Sequence, residues 1–383
     1  MKKLLQLAGA LLLTISLSAC ATPANQAKET KEEVKQEETQ TEENKEVENK
    51  DENKEETKEE TGKKSDKPLK VAIVYTGLLG DKSYNDSANI GAKKSADDFG
   101  VEVTSLEGLT AQEWEANLIS ACEDDYDLII GASSNIADFI QEHGPNYPDK
   151  MFAVIDTTVD LPNVQSISFA QNEGSFLAGA AALFTQHTEI EGVNDKAIIG
   201  WVGGMDIPVL HDFYTGYEQG AKYINPDIQI LQSFAGSWTD PLKGKELTLA
   251  QFDQGADIVM NVASGTGPGI LEAAKEAGKY AIGVDLDQDN DQPGSVLTSM
   301  VKRVDSAVYL TIQSAVEGNF QGGSTKYLSL AENGVSLTDF SVMKEHLGDK
   351  FPQEIVDKVD ELAKKIIDGE IKVDNYKGFG KEQ

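Results

Sequence analysis

Short apolar runs, separated by stretches of helix length, recur along most of the chain. Val71-Ala72-Ile73-Val74-Tyr75 is the first, and a Gly-rich turn from Gly77 to Gly80 follows it. A run of that length, rich in β-branched residues and bounded by a turn, predicts a buried strand. The pattern then predicts a helix from about Tyr84 to Phe99, a strand from Val101 to Val103, a helix over about 110–122, a strand at Leu128–Ile130, a helix over about 135–143 and a strand at Phe152–Ile155. A second series opens with a strand at Ala197–Val202, the pair Gly203-Gly204 and a helix from about Pro208 to Tyr223. It continues with strands at Ile228–Ile230, Ile258–Met260 and Tyr280–Val284, separated by helices over about 241–253 and 267–277. Val356 to Ile367 predicts a final amphipathic helix. Strands alternating with helices in this way predict an α/β protein with mainly parallel sheets.

The two series resemble each other. From Lys70 to Lys93 the order is strand, Gly turn, aromatic residue, then Gly91-Ala92-Lys93; from Lys196 to Lys222 it is the same, ending in Gly220-Ala221-Lys222. This weak internal repeat predicts two doubly wound lobes. Ligands of open α/β sheets bind at the carboxyl ends of the strands, so a cleft is expected where those ends face each other. The expected boundaries are 68–170 plus about 288–325 for the first lobe, and 171–287 plus about 326–383 for the second.

The first 67 residues follow neither pattern. Met1-Lys2-Lys3, an apolar stretch from Leu4 to Leu17 and small residues before Cys20 have the layout of a secretory signal. The apolar stretch is too short for a stable membrane span. Leu17-Ser18-Ala19-Cys20 resembles a bacterial lipobox, which implies a signal peptide over 1–19, cleavage before Cys20 and a lipid on its sulfur. An ordinary signal peptide that happens to carry a cysteine is the alternative. Residues 21–67 hold 16 acidic residues and 10 lysines and no aromatic residue. Such a composition cannot bury enough apolar surface to offset chain entropy, so residues 20–67 are expected to be a disordered tether holding the lobes off a membrane.

Charge narrows the ligand. The chain has 34 Lys+Arg against 65 Asp+Glu, a net charge of -31. The acidity is not confined to the tether, because residues 68–383 alone carry -27. Nucleic acid is excluded as a partner, since its backbone is bound by neutralising it with basic residues. Arg303 is the only arginine. That disfavours an anionic ligand, for which the guanidinium fork is the usual tool. Beyond Cys20 the one thiol is Cys122, beside Glu123-Asp124-Asp125; acidic neighbours raise a thiol pKa, so it reads as structural. The four histidines, His143, His187, His211 and His346, are far apart, and no zinc spacing is present. No nucleophile elbow or His-Glu-x-x-His motif occurs, so neither an enzyme nor a cofactor is expected. Asp287, Asp289, Asn290 and Asp291 lack the Gly and Glu positions of a calcium loop and read as a solvated loop, leaving no metal site expected.

What remains is the set of residues at strand ends. Asp81 and Ser83 precede the first helix and serve equally well as N-caps or as ligand contacts. Tyr84 offers a flat face for a ring. Asp156 and Asp285 each end a strand, where a carboxylate accepts from hydroxyl or ring N–H groups. Phe213 lies on the second lobe's first helix, and Ser264-Gly265-Thr266-Gly267 forms a strand-to-helix turn without the Lys-Ser/Thr of a P-loop.

Asp81-Lys82-Ser83-Tyr84-Asn85 resembles the Asp-Lys-Ser-Phe-Asn signature of the basic membrane protein family, lipoproteins that serve ABC transporters, many of them binding purine nucleosides. Glu173 to Gly179, Gly203-Gly-Met-Asp-Ile-Pro208, Gly236-Ser-Trp-Thr-Asp-Pro241, Gln254-Gly-Ala-Asp257 and Gly283-Val-Asp285 extend the resemblance over roughly residues 69–330. It implies a type I periplasmic-binding fold that captures a nucleoside, expected to be a purine, and delivers it to a permease. It implies that Tyr84, in place of the usual Phe, stacks on the base, with Phe213 on the other side. Asp156 would meet the base edge, Asn85 and Asp81 would help position the ligand, Asp285 would hold ribose hydroxyls, and Gly265 and Lys302 would complete the ribose end. The turn Gly131-Ala-Ser-Ser-Asn135 departs from the family's aromatic-containing turn at that place. A lipid-anchored monomer on the outer face of the cell membrane is expected. A nucleoside sensor and a nucleoside hydrolase are the alternatives.

Overall fold

The computed structural model describes residues 67–379. The signal peptide, Cys20 and all of the tether but Lys67 lie outside the described residues. In chain order the elements of the first series are β1 (Lys70–Tyr75), α1 (Tyr84–Phe99), β2 (Glu102–Leu106), α2 (Ala111–Glu123), β3 (Leu128–Ala132), α3 (Ala137–His143), β4 (Met151–Ile155) and β5 (Val164–Phe169). Next come α4 (Gln171–Gln186), β6 (Ile198–Gly203), α5 (Pro208–Ile224), β7 (Gln229–Phe234), α6 (Pro241–Asp253), β8 (Ile258–Val262), α7 (Gly267–Ala277), β9 (Tyr280–Asp285) and β10 (Val296–Lys302). The chain closes with α8 (Val304–Val316), β11 (Ser324–Leu328), β12 (Val335–Leu337), α9 (Ser341–Leu347) and α10 (Gln353–Ile367). Among the described residues no helix is long and apolar enough to cross a membrane.

The strands form two six-stranded sheets, ordered β11-β5-β4-β3-β1-β2 and β12-β10-β9-β8-β6-β7. The pairings are parallel except for β10 with β12. Helices cover both faces, so β3 and β9 are buried along their whole length, the reason these runs read as continuously apolar rather than alternating. Helix ends follow local rules: Thr110 and Glu113 form a reciprocal capping box on α2, Asp240 caps α6 ahead of Pro241, and Gly100 ends α1 in the left-handed conformation.

The chain passes between the sheets three times, at Ala170, at Arg303 and between Leu328 and Val335. The first two passages have almost the same backbone, φ -83° and ψ 58° at Ala170 and φ -79° and ψ 57° at Arg303. Both donate to the third segment, Ala170 N–H to the Leu328 carbonyl and Arg303 N–H to the Gly334 carbonyl, each at 2.9 Å. The sequence places the second passage near residue 288; in the structure it falls at Arg303, because Val296–Lys302 is a strand of the second sheet. Its Thr298 and Ser299 are buried hydrogen-bonding residues, and they break the apolar signature of a strand.

The internal repeat has a packing cause. At Gly91 of α1 a Cβ would stand 2.1 Å from the Asp305 carbonyl oxygen of α8, and at Gly220 of α5 one would stand 1.9 Å from that of Phe176 in α4. Each lobe thus packs its first helix, backbone to backbone, against a helix that has just crossed from the other sheet.

Candidate ligand-binding site

One cavity opens where the strand ends of the two lobes meet. The first lobe contributes Thr76 after β1, Tyr84 and Asn85 at the start of α1, Ser133 and Ser134 after β3, and Asp156 after β4. The second contributes Ile207, Val209, Leu210 and Phe213 around the start of α5, Trp238 before α6, Val262 and Ser264 at the end of β8, Asp285 at the end of β9 and Lys302 at the end of β10. Both sheets reverse their strand order beside these positions, between β1 and β3 and between β6 and β8, where doubly wound sheets place ligands.

Lys302 is the electrostatic centre. It is 1% exposed, and its Nζ lies 2.5 Å from Asp156 Oδ1. Its ammonium also stands 5.0 Å from the ring centroid of Phe169, 5.2 Å from that of Phe213 and 5.5 Å from that of Tyr84. The ring faces and the carboxylate together replace the hydration a buried ammonium loses. The Lys302–Asp156 contact is close without being an aligned hydrogen bond. Asp156 Oδ1 and the Tyr84 hydroxyl are buried without an aligned hydrogen bond among the described residues, although the Asp156 carboxylate lies close enough to the hydroxyl to act on it. Desolvation, reinforced by the Asp156 charge, pushes the Tyr84 hydroxyl well above its ordinary pKa.

Asp285 accepts from Ser83 Oγ at 2.5 Å. Burial is the main force on its carboxyl and pushes it up to about 6, against the pull of Lys302 and the Ser83 hydrogen bond and with Asp81 and Asp156 adding to the rise. Asp156 and Asp285 occupy equivalent places, one residue past β4 and the last of β9, and both are left-handed, with φ 70° and 65°. Non-glycine residues hold that conformation only where their surroundings enforce it, and such residues gather at functional sites.

Tyr84, Asn85, Asp156, Phe213, Asp285 and Lys302 thus come together around the cavity, whereas Asp81 and Gly265 do not line it. The Asp81 carboxylate is occupied: it accepts the N–H groups of Ser83, Asn85 and Asp86 at 2.9–3.0 Å, and Ser264 Oγ at 2.8 Å. Asp81 thus holds the first turn of α1 from two residues ahead of the N-cap position, which Ser83 occupies without a capping side-chain bond. At Gly265 a Cβ would stand 2.9 Å from the Trp238 carbonyl oxygen, so the position is reserved for backbone. Phe213 is 3% exposed and lies under Lys302. Trp238, half-buried at the cavity wall, was not assigned a role by its sequence. Its signal was present as an aromatic residue between Gly236 and the cap Asp240. Phe169 carries no such signal, and Ser133-Ser134 lies in the turn that departs from the family's aromatic-containing one.

The acidic run 287–291 is solvated only in part, with Asp287 and Asn290 exposed. Asp289 is buried and accepts from Ser299 Oγ at 2.6 Å, while Asp291 pairs with Lys82 across the cleft at 3.2 Å. Burial, more than Glu123, pushes the Cys122 thiol up to about 11, which suits a packing role. Glu115, Glu142 and His143 bring three possible metal-ligating atoms together on α2 and α3, outside the cavity lining.

Two parallel α/β lobes joined by three crossings, with a polar and aromatic cavity between them, define a periplasmic-type binding protein for a small molecule. The chain belongs to the family described as ABC transporter substrate-binding protein PnrA-like, whose model matches residues 69–377. The members of that family are substrate-binding proteins rather than enzymes. The "ABC transporter nucleoside-binding protein BmpA" of Lactococcus lactis subsp. cremoris is 32% identical over 328 residues, 80% of this chain and 89% of that one. "Basic membrane protein D" of Borreliella burgdorferi is 31% identical over 310 residues, 79% and 87% of the two chains. The crystal structure of an ABC transporter solute-binding protein from Aeropyrum pernix K1 superposes with a TM-score of 0.75 at 30% identity, covering 81% of this chain and 94% of the other.

Proposed function

We propose that this protein captures a nucleoside, most suitably a purine nucleoside, between its lobes and hands it to the permease of an ABC transporter. The observation that carries the reading is the cavity's division of labour. Tyr84 and Trp238 supply flat apolar faces, one from each lobe, while Asp156 and Asp285 supply hydrogen-bond acceptors around a single buried cation, Lys302. A neutral ligand with a flat ring at one end and hydroxyls at the other satisfies both halves. Two carboxylates against one ammonium repel a phosphate, which favours nucleosides over nucleotides. Two stacks and three hydrogen bonds to charged groups would gross about 6–15 kcal/mol before ordering and closure costs. Micromolar binding needs about 8 kcal/mol, so it lies within reach. The nucleoside-binding relative in Lactococcus supports the same ligand class.

Cys20 would anchor the chain by lipid on the outer face of the cell membrane, and residues 20–67 would give the lobes reach as a monomer. Cys20→Ser should release the protein from membranes; retention would remove the anchor. Calorimetric titration of the purified protein with inosine, guanosine, adenosine and pyrimidine nucleosides tests the ligand. Binding of at least one purine nucleoside is expected, and a flat response to the whole set rejects the reading. A sensor role differs only downstream: deleting the gene should abolish nucleoside uptake for a transporter component and leave it intact for a sensor.

A further inference from the structure

The turn Asp81-Lys82-Ser83 makes four direct bonds to the opposite lobe. Ser264 Oγ donates to Asp81 Oδ2 at 2.8 Å, Ser83 Oγ donates to Asp285 Oδ2 at 2.5 Å, Gln288 Nε2 donates to the Lys82 carbonyl at 3.0 Å, and Lys82 Nζ pairs with Asp291 at 3.2 Å. The same Asp81 carboxylate holds the first turn of α1 through three backbone N–H groups. Backbone on both sides of the contact is left-handed at non-glycine residues, with φ 54° at Lys82, 49° at Ser264 and 65° at Asp285. Conformations of that kind persist where surrounding contacts over-determine them. Lys82, Gln288 and Asp291 are absent from the cavity lining, so two of the bonds lie wholly outside it, while Ser264 and Asp285 tie the other two to the cavity wall.

We propose that this turn is a latch: Asp81 and Ser83, with Ser264 and Gln288 opposite, are positioning residues that set how long a captured ligand stays by holding the lobes shut. The inference rests on the reading of the chain as a nucleoside-binding protein for its probe, but not for its outcome. A hydrogen bond between a hydroxyl and a buried carboxylate belongs to the strong class. Differences between variants of one interface fall mostly on dissociation.

The test uses the full chain and Ser264→Ala, which removes one latch bond and leaves the Asp81 bonds to the first turn of α1 in place. Dissociation of inosine should be about tenfold faster, with association changed by less than about threefold. The factor should be equal for inosine and its free base hypoxanthine, because a latch does not read the ligand. Ser83→Ala is read by the interlobe distance alone, because its partner Asp285 lines the cavity. Spin labels at the exposed positions Gln112 and Glu246, one on each lobe, should report longer interlobe distances in Ser264→Ala without any added nucleoside. An unchanged dissociation rate and distance distribution overturns the latch. A loss confined to inosine overturns it too, by making Ser264 a ribose contact. If no nucleoside binds the unaltered protein, the nucleoside reading fails while the distance measurement still decides the latch.

Discussion

Lys302 Nζ and Asp156 Oδ1 stand 2.5 Å apart, yet Lys302 ends β10 of the second sheet and Asp156 follows β4 of the first. The most buried ion pair of the described residues therefore spans the cleft, with exposures of 1% and 7%. Breaking a buried pair from one side leaves an uncompensated charge and costs about 3–5 kcal/mol. Lys302→Met should lower the stability by that amount at pH 7, read from urea unfolding. An unchanged midpoint would show that Asp156 is not left as an uncompensated buried charge when the ammonium is removed.

Asp285 gives the site a pH dependence with opposite signs for folding and binding. Its folded pKa of about 6 stands above the ordinary carboxylate value. Between about pH 6 and pH 4 the native state holds a proton that the unfolded chain has lost, so this group favours folding increasingly as pH falls through that window. Ligand hydroxyls need the ionised acceptor, so affinity should weaken by up to about tenfold per pH unit below 6. Titrations from pH 5 to 8 should show the fall, and Asp285→Asn should flatten it at a lower affinity. An affinity level across this range would take Asp285 out of ligand binding.

How much of this was legible in the sequence depended on whether a strand's burial looked apolar. β1, β4 and β9 announced themselves as apolar runs, and with them came Asp156 and Asp285 as residues at strand ends. β5 and β10 did not, because Gln165, Ser166, Thr298 and Ser299 are buried polar residues with partners inside the fold. Polarity in a sequence reads as exposure, and beside the crossings that rule fails. Lys302 followed only from the family resemblance, since a lysine after an unrecognised strand looks like a surface charge. Trp238, Ser133 and Ser134 lie on loops that only the closure of the two sheets brings to one cavity.

The two ring faces should contribute separately. Tyr84→Ala and Trp238→Ala should each weaken nucleoside binding by about 1–3 kcal/mol, the value of one base stack. Tyr84→Phe keeps the face and removes a buried hydroxyl without an aligned partner, so the protein should unfold at the same or a slightly higher temperature. Calorimetric titration and thermal unfolding of the three variants check this. Unchanged affinity in Trp238→Ala would leave Phe213 as the only candidate for the second face.

The glycine contact behind the internal repeat makes a prediction far from the ligand. At Gly220 a Cβ would stand 1.9 Å from the Phe176 carbonyl oxygen, and the atoms in the way are backbone of α4, which cannot rotate aside. Gly220→Ala must therefore push α5 off α4. Overpacking of this kind costs about 1–3 kcal/mol, more than the gain alanine brings to a helix interior. Gly91→Ala meets the Asp305 carbonyl oxygen of α8 at 2.1 Å and should cost a similar amount in the other lobe. Lower melting temperatures in both helix variants, with the repeat's two glycines losing stability in parallel, would tie the sequence repeat to the crossing helices; a stabilised Gly220→Ala would mean that α4 and α5 have room to separate.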